Sequence, residues 1–190
     1  MFVKRAREAG YRSRALFKLE EIQRTDRILR PDSTVVDLGA APGGWSQYAA
    51  KVLQGRGRIV ALDILPMDAI NGVEFLQGDF TEDAVLEQLL SLLGDDRPQL
   101  VMSDMAPNTT GIATVDQDRS MHLAELALDF AGKVLAPGGD FLVKVFQGRD
   151  FQPYVQRLRG LFGTVKVRKP PASRQRSPEL YLLARTFNSA

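Results

Sequence analysis

Short runs of consecutive apolar residues alternate along this chain with longer stretches in which apolar positions recur every three or four residues. The runs include Val35-Val36, Ile59-Val60-Ala61-Leu62, Leu100-Val101-Met102 and Phe141-Leu142-Val143, and continuous rather than alternating apolarity predicts strands covered on both faces. Strands are expected around 35–36 and over 57–63, 73–77, 99–104, 141–146, 164–168 and 179–184. Helices are expected over 12–22, with Ser13 as N-cap and Leu16, Leu19 and Ile22 as the apolar stripe, and over 45–53, 82–93, 116–135 and 150–162. This alternation predicts an α/β fold, a seven-stranded mostly parallel sheet with helices on both faces, and the short link between the last two strands predicts one antiparallel pair at its edge. The 190 residues suffice for one domain, 1–190, whose first 30 residues supply a basic N-terminal helix.

The first strand empties into Asp37-Leu38-Gly39-Ala40-Ala41-Pro42-Gly43-Gly44-Trp45. Gly39 and Gly43 let the backbone turn sharply and a ligand approach the main chain, so the turn suits a nucleoside with a polar tail. Three further strands end in Asp63, Asp79 and Asp104, and the ligand crevice of an open α/β sheet lies outside the strands' carboxyl ends. Asp63 stands 20 residues past Gly43, the distance at which an acid accepts ribose hydroxyls. Asp79 is placed for an exocyclic adenine amine and Asp104 for the methionine part of such a ligand or for the reacting centre. A strand-end aspartate also caps helices, but three in series behind a glycine turn point to a ligand. A nicotinamide dehydrogenase would use similar parts; the G-A-A-P-G-G spacing departs from G-x-G-x-x-G, and no hydride-transfer residue accompanies it.

Charge is segregated. Residues 1–30 carry 9 Lys/Arg against 4 Asp/Glu, residues 31–143 carry 6 against 17, and residues 144–190 carry 10 against 2. Basic ends around an acidic middle predict a polyanionic partner, most simply nucleic acid, held by Arg12 and Arg14 at one end and by Lys169, Arg174 and Arg176 at the other. Two solvated basic faces without a partner would show the same clustering. The absence of cysteine and the single histidine, His122, leave no thiolate or imidazole cluster, so no metal is expected. No apolar run reaches membrane-spanning length and no signal peptide opens the chain, so a cytoplasmic monomer without membrane contact is expected.

Lys144 is the residue most out of place, a lysine inside Phe-Leu-Val-Lys-Val-Phe. Burying it is costly without a partner, and Asp104 on the neighbouring strand is the natural one. Burial or a nearby second cation lowers a lysine's affinity for its proton, which turns lysine into a general base; an edge-strand lysine snorkelling to water is the plainer alternative.

The stretches Val-Asp-Leu-Gly-Ala-Ala-Pro-Gly-Gly-Trp-Ser-Gln, Phe-Leu-Gln-Gly-Asp-Phe, Val-Met-Ser-Asp-Met-Ala-Pro-Asn, Leu-Ala-Pro-Gly-Gly, Val-Lys-Val-Phe-Gln-Gly and Ser-Arg-x-Arg-Ser-x-Glu-Leu-Tyr resemble, in order over nearly the whole chain, the FtsJ/RrmJ family of ribose 2′-O-methyltransferases. The resemblance implies a Rossmann-like class I fold dependent on S-adenosylmethionine (SAM), with S-adenosylhomocysteine as product. It also implies a Lys-Asp-Lys-Glu tetrad on Lys18, Asp104, Lys144 and Glu179, and cofactor contacts on Gly39, Gly43, Trp45, Asp63, Asp79 and Asp104. Lys144 would act as base with Asp104 orienting it, while Lys18 and Glu179 position the ribose. The implied substrate is a uridine in the A-loop of 23S ribosomal RNA, within the large ribosomal subunit. A non-catalytic RNA-binding assembly factor could keep the fold, and an intact tetrad argues against it. Family members carry further basic residues ahead of the first helix, which bears on RNA affinity rather than on chemistry.

Overall fold

The structure, a computed structural model, describes residues 2–173 and 177–188. The chain runs α1 (Phe2–Glu8), α2 (Leu16–Asp26), β1 (Ser33–Leu38), α3 (Gly44–Leu53), β2 (Gly57–Asp63), β3 (Val73–Gln77), α4 (Asp83–Leu93), β4 (Leu100–Ser103), α5 (Ala113–Val134), β5 (Asp140–Phe146), α6 (Phe151–Leu161), β6 (Phe162–Arg168) and β7 (Glu179–Phe187). The seven strands form one sheet in the order β3-β2-β1-β4-β5-β7-β6. Every residue of β1 and β4 is buried, as the continuous apolar runs require of central strands, whereas the edge strand β6 leaves most of its side chains in solvent.

Alternate residues of each strand serve two apolar layers. One face packs Val35, Leu100, Met102, Leu142, Tyr181 and Leu183 against α1, α2 and α3. The other packs Val36, Val101, Phe141, Val143 and Leu182 against α4, α5 and α6. Strand order reverses between β1 and β4, which pair in parallel, and the crevice of a doubly wound sheet opens at such a switch point.

The first five strands pair in parallel, but β7 is antiparallel to both β5 and β6, so there are two antiparallel ladders where one edge pair was expected. The insertion of β7 has a functional consequence. Because β7 runs against β5, its first residue, Glu179, pairs with the last of β5, Phe146, and is delivered to the carboxyl end of the parallel strands.

The N-terminal region also differs from expectation. A helix, α1, precedes the expected one, and α2 begins at Leu16 behind Ala15, with no side-chain cap. Ser13 is not the cap: its Oγ is enclosed without a hydrogen-bond partner and packs so closely on Gly44 that a Cβ there would lie 2.3 Å away. The segment around Ser13 is thus laid against the start of α3. Among the described residues, no helix is long and apolar enough to cross a membrane.

Candidate active site

A cavity of about 800 Å³ opens at the carboxyl ends of β1, β2, β3 and β4. Gly39, Asp63, Asp79 and Asp104 all line it. At Gly39, φ is +78° and a Cβ would lie 2.9 Å from the Met105 backbone, so no side chain fits where the turn meets the loop after β4. Asp63 accepts the Ala41 amide through Oδ2 and the Leu65 amide through Oδ1, each at 2.9 Å. An ionised carboxylate has about four acceptor positions, so two remain for a ligand's hydroxyls. Asp79 Oδ1 accepts the Thr81 hydroxyl at 2.7 Å and the Thr81 amide at 2.9 Å, and these bonds hold the acid below its ordinary range and ionised.

Beneath the turn, Asp37 is fully buried, and burial is the main reason its carboxyl is pushed up to about 7. Ser46 Oγ donates to Oδ2 at 2.7 Å, while Oδ1 has no partner among the described residues. The acid therefore supports the turn from inside the sheet rather than meeting the cavity.

Beside the cavity, on the α2 face, four ionisable side chains converge around one tyrosine. Lys144 is 8% exposed and pairs across the β5–β7 ladder with Tyr181. Its Nζ lies 3.5 Å from Asp104 Oδ1 and donates to the Asp104 carbonyl at 3.3 Å. The Tyr181 hydroxyl donates to the same Oδ1 at 2.8 Å and lies 3.3 Å from Glu179 Oε1. Lys18, from α2, closes the chain of contacts with a 2.7 Å bond to Glu179 Oε1 and stands 5.9 Å from the centre of the Tyr181 ring.

The charges fit together. Burial pushes the Glu179 carboxyl up, but the Lys18 hydrogen bond and the charges of Lys18 and Lys144 outweigh it and hold the acid below its usual range. Burial, then the charges of Asp104 and Glu179, push the Tyr181 hydroxyl well above its ordinary value, so it stays protonated and donates. Having one proton to give, it gives it to the nearer carboxylate, Asp104. Tyr181 was missed in the sequence, although its two-residue spacing from Glu179 on a strand places both on one face.

Trp45 and Gly43 are not brought to the cavity wall. The Trp45 indole is buried, donates Nε1 to the Ala15 carbonyl at 2.8 Å, and packs on the Tyr181 ring with centroids 5.7 Å apart. The indole braces the tyrosine ring. Gly43 sits under Met67, Ile70 and the Arg12 side chain.

Arg12 was expected on RNA, and the structure spends its guanidinium on the chain itself. It donates to the Asp68 carbonyl at 2.6 Å, the Ala69 carbonyl at 2.9 Å and the Pro42 carbonyl at 3.3 Å, stapling the segment after β2 to the glycine turn. Lys169 is likewise engaged, by the carbonyls of Ser177 and Glu179. Arg14 is exposed, and Arg174 and Arg176 lie outside the described residues. The wall formed by α5, with Asp118, Arg119 and His122, was also missed; the positions share one helix face, but nothing in their pattern distinguishes them from a solvated one.

The chain as a whole is similar to proteins of known family. The sequence model of the FtsJ-like methyltransferases matches residues 11–187. The chain is 62% identical over 188 residues to a protein of Dichelobacter nodosus named Ribosomal RNA large subunit methyltransferase E, covering 98% of this chain and 90% of that one. Its identity to the protein of the same name from Pseudomonas aeruginosa is 60% over 186 residues, with the same coverage. The crystal structure of a ribosomal RNA methyltransferase from Plasmodium falciparum superposes with a TM-score of 0.84 at 28% identity, over 93% of this chain and 98% of that one. With its Rossmann-like sheet, its cavity at the strands' carboxyl ends and these relatives over nearly its full length, the chain belongs to the FtsJ-like methyltransferase family.

Proposed function

We propose that the protein transfers the methyl group of SAM to a ribose 2′-hydroxyl of large-subunit ribosomal RNA, at a uridine of the A-loop. The observation that carries this reading is the double position of Asp104, which lines the cavity and also touches Lys144 and Tyr181. One carboxylate thus joins a cofactor site to a proton-handling site. The names of the relatives support ribosomal RNA as the substrate.

The cavity suits SAM in size and chemistry. Gly39 leaves the main chain bare, Asp63 keeps acceptor positions for ribose hydroxyls, and Asp79 keeps Oδ2 for an amine. When bound there, SAM supplies an electrophilic methyl on a sulfonium, and S-adenosylhomocysteine leaves. A ribose hydroxyl is a poor nucleophile, so its proton must leave as the new carbon–oxygen bond forms. Lys144 Nζ takes that proton. Asp104, fixed by the Tyr181 hydroxyl, orients the amine and stabilises the ammonium that results. Lys18 and Glu179, locked to each other, position the ribose beside the amine, and such positioning supplies much of the acceleration.

The RNA is held by the basic ends of the chain, Arg14 ahead of α2 and Arg174 and Arg176 near the end of the sequence, around a site whose own acids repel phosphate. The protein acts as a monomer on the assembled large subunit. The reading is tested by incubating labelled SAM with large subunits from cells lacking the gene and mapping ribose methylation. A single new methyl at the A-loop uridine is expected, and label elsewhere or none refutes the assignment.

A further inference from the structure

A second hollow, of about 320 Å³, opens beside the cofactor cavity, between the start of α5 and the turn joining β5 to α6. The two share a wall residue, Asp118. Phe146, another wall residue, lies two positions beyond Lys144 on β5 and pairs with Glu179 on β7. The hollow therefore begins one step past the four ionisable side chains, on the side away from Asp63.

Its lining is apolar below and rich in acceptors above. Met121 and Phe146 supply the apolar surface. Gln117 donates Nε2 to the Gln147 carbonyl at 3.1 Å, which fixes the amide and leaves its Oε1 as an acceptor beside Gly148. Asp118 and Asp150 add two carboxylates, and Arg149, 81% exposed, lies 3.3 Å from the first and 3.9 Å from the second. Two acids against one guanidinium leave a net negative rim, which repels phosphate and favours an uncharged group bearing donors.

We infer that this hollow receives a nucleobase next to the methylated ribose and prefers one with an exocyclic amino group: guanine, adenine or cytosine over uracil. The inference rests on the proposal that the substrate is RNA. A flat ring matches a hollow walled by phenylalanine and methionine, and single-stranded RNA is recognised by inserting splayed bases against such side chains while polar groups read their edges. Carboxylate and amide oxygens accept both hydrogens of an exocyclic amino group but only the single N3–H of uracil, and they offer its two carbonyl oxygens nothing. The hollow thereby fixes the register of the strand, so that the preceding or following ribose meets Lys144.

Gly148 provides the test. Its φ lies outside the left-handed region, so a side chain there strains no backbone, and its Cβ would point at Gln117 Oε1, 2.9 Å away, at the tip of a flexible side chain. Gly148→Leu therefore fills the hollow. Methyl transfer is measured on large-subunit particles in which each base flanking the target is set in turn to guanine, adenine, cytosine and uracil, with calorimetric SAM binding as the measure of folding. For the wild type, uracil at one flanking position raises KM severalfold. Gly148→Leu raises KM about tenfold, the scale of one lost base contact, for particles carrying a preferred base and less for the uracil particle, so that it no longer distinguishes the bases, with kcat and SAM affinity within about twofold. Gln117→Ala, which adds no bulk, reduces the discrimination against uracil. An unchanged KM in Gly148→Leu, or a wild type indifferent to both flanking bases, overturns the inference while leaving the methyltransferase proposal standing. A wild type that methylates no RNA overturns both.

Discussion

Tyr181 donates its hydroxyl proton to Asp104 Oδ1 at 2.8 Å, whereas Lys144 Nζ stands 3.5 Å from the same oxygen. The tyrosine, more than the lysine, sets the direction of the carboxylate, and Lys144 Nζ is shared between that carboxylate and the Asp104 main-chain carbonyl. Tyr181→Phe removes this restraint while keeping the ring on Trp45. The expected loss in methyl transfer is about tenfold, the equivalent of about 1.4 kcal/mol for one hydrogen bond to a charged group, with SAM affinity unchanged. Steady-state kinetics on large subunits checks this, and full activity in the variant would show that Asp104 is held by other means.

Asp63→Ala should weaken SAM binding by about 1.5–3 kcal/mol, the range for hydrogen bonds to a charged group. The same substitution frees the Ala41 and Leu65 amides, so part of the loss comes from the turn itself. Calorimetry measures the total, and an unaltered affinity would remove Asp63 from the cofactor site.

Arg12 ties residues 42, 68 and 69 together, so Arg12→Ala acts on the cofactor cavity rather than on RNA. Its SAM affinity should fall by about tenfold as three backbone carbonyls lose their donor. The salt dependence of RNA binding should keep its slope, because no phosphate contact is lost. A flatter slope with unaltered SAM binding would return Arg12 to the RNA surface.

The strands and the three acids that line the cavity were legible because consecutive apolar residues mark central strands and because strand ends in a doubly wound sheet point into one crevice. Lys144 and Asp104 stood out on their own strands, whereas Lys18 and Glu179 were reached only through resemblance: they stand 161 residues apart, and no local pattern joins them. The hydrogen bonds of the Arg12 guanidinium were hidden for the same reason, its carbonyl partners lying 30, 56 and 57 residues away. Helix α1, Phe-Val-Lys-Arg-Ala-Arg-Glu, has no apolar stripe; it buries Ala6 and sets Phe2 against Phe17 at 5.7 Å, contacts that exist only once α2 is in place. Ser13 had the composition of a cap and the surroundings of a packing residue. The second antiparallel ladder could not be read because β7 alternates no more clearly than a parallel strand when both its faces are covered.

Asp37 gives the fold a pH dependence of its own. Its acid is ordinarily near 3.8 and is raised to about 7 in the folded protein, so between these values the folded state binds more protons than the unfolded chain. Its contribution is therefore present in full below about 3.8 and is lost as pH rises towards about 7. At about 1.36 kcal/mol per pKa unit the effect is of the order of a few kcal/mol. Asp37→Asn should flatten the difference in stability between pH 5 and pH 8, measured by urea unfolding relative to wild type; an unchanged difference would mean that the buried carboxyl is already neutralised by other means.

Lys144 accepts the ribose proton in the proposed reaction, and single-turnover methyl transfer to large subunits by Lys144→Arg is the decisive measurement. Arginine keeps the charge beside Asp104 but does not release its proton in the working range. Both Lys144→Arg and Lys144→Ala should lose about a hundredfold or more in the rate of transfer, with SAM affinity and unfolding midpoint close to wild type. Near-normal transfer by Lys144→Arg would contradict the account, because the position would then need only a fixed positive charge and the proton would have to leave by another route.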